Sequence, residues 1–160
     1  MKWMLLAVGN RLSRDDGAGP AVAEWLQDSE WSVVDCGASL ENVAGLVTRE
    51  RPDVLVIVDA ARMGLPPGSI RRLPIGGCER MLISTHGLPL SFVLDRLGMD
   101  IARIVLLGIE PGDLSLGEGL SPSVEAAAAS LAEVLRCGEL DRIPIHEDNA
   151  HPIKGAIRPA

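Results

Sequence analysis

The segment Asp53–Ala60, DVLVIVDA, constrains the fold more than any other stretch of the chain. Its centre is an unbroken apolar run, mostly β-branched, with no position left to face water. A run of this length and composition suits a strand covered on both faces, the condition of a parallel sheet with helices on either side. Similar runs recur at Met4–Val8 and Ile104–Ile109, with further strand candidates at Trp31–Asp35 and Met81–Ser84. Ser69–Leu73 reads as a polar edge strand. Between them lie segments of helical period: Ala18–Leu26, with Pro20 tolerated in the first turn, and Glu41–Arg51, closed by Pro52. A helix from about Pro89 to Leu97 follows. The last is an Ala-rich helix to about Cys137, with Ser121 as N-cap and Pro122 at its first position. This alternation predicts an α/β fold, a largely parallel sheet with helices on both faces. No internal repeat or linker interrupts it. Residues 1–137 read as one α/β domain and 138–160 as a polar tail or strap.

Composition narrows the function. With three Trp, one Phe and no Tyr in 160 residues, the core must be built mainly from Leu, Val, Ile and Ala. A net charge of -7 repels phosphate backbones, so no nucleic-acid partner is expected. No apolar run approaches the roughly 20 residues of a membrane helix, so no membrane insertion is expected. The apolar start is too short, before Asn10 and Arg11, for a signal peptide. Cys36, Cys78 and Cys137 are odd in number and lack CxxC spacing, which argues against a disulfide framework or a structural zinc site. A cytoplasmic monomer is expected.

In sheets of this kind ligands collect beyond the carboxyl ends of the strands. Four polar clusters fall there: Asn10 with Asp15-Asp16, Asp35, Asp59, and Ser84-Thr85-His86-Gly87. The first loop, GNRLSRDDGAGP, has neither GxGxxG nor GxxxxGK[ST] spacing, so dinucleotide and P-loop readings fail. Its carboxylates have a structural reading as caps of the following helix. Asp59 ends an apolar strand, where a carboxylate must be paired, hydrogen-bonded or metal-bound. His86 has a structural reading too, but imidazole is the commonest metal ligand. Two carboxylates and one imidazole would suit a borderline divalent ion such as nickel or zinc. His146-Glu147-Asp148-Asn149-Ala150-His151 resembles HExxH, but its second His is one residue too far to share a helix face. Cys36, beside Asp35, is the thiol to watch as a nucleophile, although no local Cys–His signature supports one.

The runs VGNRLSRDDGAGP, PDVLVIVDAARMGLPPGSIR, STHGLPLSFVLDRLG and IVLLGIEP, in this order, resemble the hydrogenase maturation endopeptidases. The nearest subgroup serves hydrogenases of the formate-hydrogenlyase type. The likeness extends from about Met4 to Leu135. It implies a three-layer sandwich: a twisted, mostly parallel sheet of about five strands between helices. It also implies an enzyme that removes a C-terminal peptide from a [NiFe] hydrogenase large-subunit precursor once nickel is inserted. By motif position Asp16, Asp59 and His86 match the family's metal-recognition side chains, and Asp35 a further catalytic candidate. The nickel is expected to arrive with the precursor, with no tightly bound cofactor in the free enzyme. Two departures are local: Cys36 stands where Gly is usual and Leu40 where Pro is common.

Two mechanisms stay open at this level. Nickel held by Asp16, Asp59, His86 and precursor cysteines could dock the peptide or polarise its carbonyl. Alternatively the metal only verifies loading, and Asp35 or Asp15 activates water as general base. The same site without chemistry would make a nickel-checking adaptor, and a nucleotide-binding regulatory module is a third reading.

Overall fold

The computed structural model describes residues 1–75, 95 and 101–147. Its sheet has five strands: β1 (Trp3–Val8), β2 (Ser32–Gly37), β3 (Val54–Ala60), β4 (Ile70–Leu73) and β5 (Arg103–Ile109). Their spatial order is β2-β1-β3-β5-β4. β2, β1, β3 and β5 pair in parallel, and β4 lies antiparallel against β5, as its polar edge-strand sequence suggests. The strand expected at Met81–Ser84 and the helix expected near Pro89–Leu97 lie outside the described residues, apart from Asp95, which is helical.

Register explains why the strands read as continuously apolar. One row runs across the whole sheet as Val34, Leu6, Ile57, Leu106 and Leu73, and all five point to one face. The neighbouring row, Leu5, Val56 and Val105, points to the other. Helices α1 (Ala18–Leu26) and α3 (Pro122–Arg136) cover the second face. Small residues at their contact, including Ala23, Ala128 and Ala132, allow close approach, while Leu26, Leu131 and Leu135 are fully buried. Each such leucine contributes roughly 1.5–3 kcal/mol of burial. The first face is covered by α2 (Ala44–Glu50) through Val47, together with Leu40 of the preceding 3-10 turn. The largest fully buried side chains are all Leu, Ile or Met, in keeping with the aromatic-poor composition.

The helix predicted at Glu41–Arg51 therefore begins as a 3-10 turn, Leu40–Val43, and becomes α-helical only at Ala44. Ser39 makes no side-chain capping bond, and Gly45 sits in the first α turn, where it costs about 1 kcal/mol relative to Ala. Its end is as the sequence suggests: Arg51 turns left-handed (φ 48°) just before Pro52.

After α3 the chain forms a 3-10 turn, Leu140–Arg142, and buries Leu140 and Ile143. It then runs beside β4: Arg72 N–H donates to the Pro144 carbonyl (2.8 Å), and His146 N–H donates to the Arg72 carbonyl (2.8 Å). His146 thus lies on an extended strip and not on a helix, which removes the zincin-like reading of the tail.

Because four strands are parallel, their ends share one edge, and α1 is pressed down onto it at Gly19. A Cβ on Gly19 would stand 2.4 Å from the Val8 carbonyl oxygen and 2.7 Å from that of Val58. Both obstacles are backbone, so neither can swing aside. Gly19→Ala is expected to lower stability by about 3 kcal/mol, the upper end of the overpacking range, because the obstacles are rigid backbone. A chemical-denaturation midpoint equal to that of the parent protein would show that α1 can ride higher on the sheet.

Candidate active site at the carboxyl edge of the sheet

The first loop turns back over the end of β1. Gly9 makes this possible: its φ is +155°, and a Cβ there would lie 2.0 Å from the Asp16 carbonyl oxygen. Asn10 fixes the turn by accepting the Leu12 N–H on its side chain (2.9 Å), and its own N–H donates to Asp16 Oδ2 (3.2 Å). Asp15 and Asp16 then occupy a 3-10 turn, Arg14–Gly17, that leads into α1.

These carboxylates do not cap α1, whose N-cap is Gly17 with no side-chain bond. Asp15 reaches instead to the loop after β5. Its Oδ2 accepts the Gly112 and Asp113 N–H groups (both 2.8 Å) and the Ser121 hydroxyl (2.7 Å), while Oδ1 accepts the Ser121 N–H (2.7 Å). Ser121 does sit at the N-cap of α3, but its hydroxyl is given to Asp15 and caps nothing. Burial pushes the Asp15 carboxyl up, and the four donors outweigh that and hold it below its ordinary value. A carboxylate so engaged is a poor general base. Asp15 is a clamp, and the base reading of it is withdrawn.

The backbone joins the same two loops. Arg14 N–H donates to the Gly117 carbonyl (3.0 Å), Gly117 N–H to the Leu12 carbonyl (2.8 Å), and Asp15 N–H to the Asp113 carbonyl (2.9 Å). Arg14, left-handed at φ 45°, adds its guanidinium to Ser115 Oγ (3.2 Å) and the Glu118 carbonyl (3.4 Å).

Asp59 is fully buried near the end of β3, paired across the sheet with Gly108 of β5. Asp16 is 7% exposed and lies three residues before Gly19, whose backbone rests on the carbonyl of Val58. The acidic turn and the end of β3 are thus neighbours at one edge. Glu110, just after β5, is a further buried carboxylate there. Its Oε2 accepts the Met63 N–H (2.6 Å), fixing the chain beyond β3. It was missed in the sequence, although it follows IVLLGI just as Asp59 follows VLVIV.

Asp35, in β2, is exposed. Its Oδ1 accepts the Gly37 N–H (3.0 Å), and its Oδ2 pairs with Arg11 (3.3 Å), which also meets Glu24 (3.0 Å). The neighbouring Cys36 thiol is pushed up to about 12 by burial and by the Asp35 charge, so it carries almost no thiolate at neutral pH. That removes it as a nucleophile. His86 lies outside the described residues. Among those described, no three His, Cys, Asp or Glu side chains are gathered to hold a metal ion.

The frame is a mostly parallel α/β sheet with buried carboxylates and braced loops at its carboxyl edge, and endopeptidases of known structure share that fold. The solution structure of the endopeptidase HycI from Escherichia coli superposes with a TM-score of 0.83 at 33% identity, over 92% of this chain and 97% of that one. HybD, the hydrogenase maturating endopeptidase of E. coli, gives 0.74 at 27% identity, over 89% and 94%. In sequence, the hydrogenase 3 maturation protease of E. coli K12 is 42% identical over 112 residues, 68% of this chain and 72% of that protein. The HycI family model, described as hydrogenase maturation protease, matches residues 20–136. The chain belongs to the hydrogenase maturation protease family. It is an endopeptidase of the α/β fold expected, and the adaptor and nucleotide-module readings are set aside. No helix among the described residues is long and apolar enough to cross a membrane.

Proposed function

We propose that this endopeptidase removes the C-terminal peptide from a [NiFe] hydrogenase large-subunit precursor and recognises inserted nickel through Asp16, Asp59 and His86. The observation that carries the reading is the pair of buried carboxylates, Asp16 and Asp59, on neighbouring segments of one sheet edge. Carboxylate oxygens on neighbouring segments are hard donors that a divalent ion can recruit. Two carboxylate oxygens and an imidazole form an incomplete donor set for nickel, and cysteine thiolates of the precursor would complete it. The metal is therefore part of the substrate, and the free enzyme is a cytoplasmic monomer that holds none tightly.

Asp35 is the carboxylate that would activate water. Its support is its exposure at the same edge and its fixed orientation between Gly37 N–H and Arg11. A base needs access to water, and the clamp residue Asp15, fully buried and holding four donors, lacks it.

Cleavage of purified precursor with and without nickel is the test. The nickel-loaded form is expected to be shortened and the nickel-free form left intact. Metal analysis of the enzyme after dialysis should find far less than one equivalent of divalent ion. Equal cleavage of both precursors would sink nickel recognition, and stoichiometric retained zinc would point to a resident-metal peptidase.

A further inference from the structure

We infer that Leu12 and Leu116, side by side on the two joined loops, are a docking point for an apolar surface of the precursor, an inference that rests on the proposed substrate. Leucine is normally withdrawn from water, yet Leu12 is 55% and Leu116 85% exposed. Neither is on a loose end. Ser13 and Gly117 form a parallel bridge, and the two leucines are the residues immediately before them on each strand of that bridge. Gly117 N–H donates to the Leu12 carbonyl, and the Asp15 clamp and the Arg14 guanidinium tie down the flanking residues. The pair is held out on a braced platform. An apolar contact on such a platform loses little conformational entropy when a partner covers it.

Location and charge select the occupant. Leu12 and Leu116 lie on the loops that follow β1 and β5, at the carboxyl edge that also carries Asp16, which is where the proposed substrate would be seated. A second copy of the chain fits poorly. Two copies of the leucine pair would bury on the order of 500 Å² together, well short of the roughly 1,200–2,000 Å² total of a stable dimer interface. Two chains of net charge -7 also repel each other. The precursor brings the remaining contact through its nickel site and its cleaved segment, and the leucines add an apolar anchor at the rim.

The test is Leu12→Glu/Leu116→Glu, with Leu12→Met/Leu116→Met as the conservative pair. Both side chains are exposed, so melting temperature should not move. KM for nickel-loaded precursor is expected to rise about 10-fold or more in the Glu pair, the scale of losing an apolar anchor, with kcat unchanged and KM recovered in the Met pair. Binding of nickel-free precursor, measured by calorimetry, should weaken by a similar factor, which separates this surface from nickel recognition. Unchanged KM and binding in the Glu pair would overturn the inference. So would a wild-type dimer in sedimentation that the Glu pair dissolves while KM stays the same.

Discussion

Asp59→Asn is expected to abolish processing of a nickel-loaded precursor while leaving the protein folded. The exchange keeps side-chain volume and one acceptor oxygen but removes the negative charge that a divalent ion needs. Loss of an outer partner of a metal ligand costs roughly 10–100-fold, and loss of the ligand charge itself should exceed that. Asp59 is fully buried beside Gly108, so the alternative is a purely structural carboxylate. In that case the change would lower stability by about 1–3 kcal/mol, with activity falling only as folded protein is lost. Melting temperature and precursor cleavage, measured on one preparation, separate these outcomes. Full processing by the Asn variant would remove Asp59 from the site.

The second large effect belongs to Asp15, the adjacent carboxylate with an opposite job. Asp15→Ala strips the partner from three backbone N–H groups and one hydroxyl at once, around a carboxylate that is itself fully buried. The expected loss is about 2–3 kcal/mol, since charge-assisted bonds are strong while water can reach the half-exposed donors left behind. The pH dependence follows from the depressed carboxyl. A group with a lower pKa folded than unfolded stabilises the fold above its unfolded value, near 3.8, and loses that stabilisation as pH falls through the folded value. The gap between wild type and Asp15→Ala, read by denaturation, should be full at neutral pH and shrink in acid below about pH 4. A gap constant down to strong acid would mean that the charge of Asp15 contributes nothing.

The fold was legible because burial on both faces left an apolar signature that solvent-facing strands lack. DVLVIVDA declared β3, and the polar run before Leu73 declared an edge strand, whose antiparallel direction only the structure shows. What local sequence could not carry was partnership at long range. Asp15-Asp16 sits ahead of a helix and reads as a cap, but the donors of Gly112, Asp113 and Ser121 compete for Asp15 and win with four bonds. Ser121 reads as a cap for the same local reason and is diverted by the same contact. The start of α2 shifted because no side chain caps it and the weak helix formers Asn42 and Val43 stand where the first α turn would form. Of the candidate site, Asp16 and Asp59 could be placed at one edge from strand ends alone. Arg11 against Asp35 could not, because the loop path that joins them is tertiary.

The clamp also sets an order of events during biosynthesis. Its donors lie 97 to 106 residues beyond Asp15, so the acidic turn cannot be organised until almost the whole sheet and the start of α3 have been made. Contacts of such separation form only after the entropy of closing the intervening chain has been overcome, which local helices do not require. A ribosome-bound chain that stops short of Ser121 would hold Asp16 on an unanchored loop. Proteolytic competence is thus expected only in chains that extend past Ser121, and a product stalled before it would be silent toward its substrate.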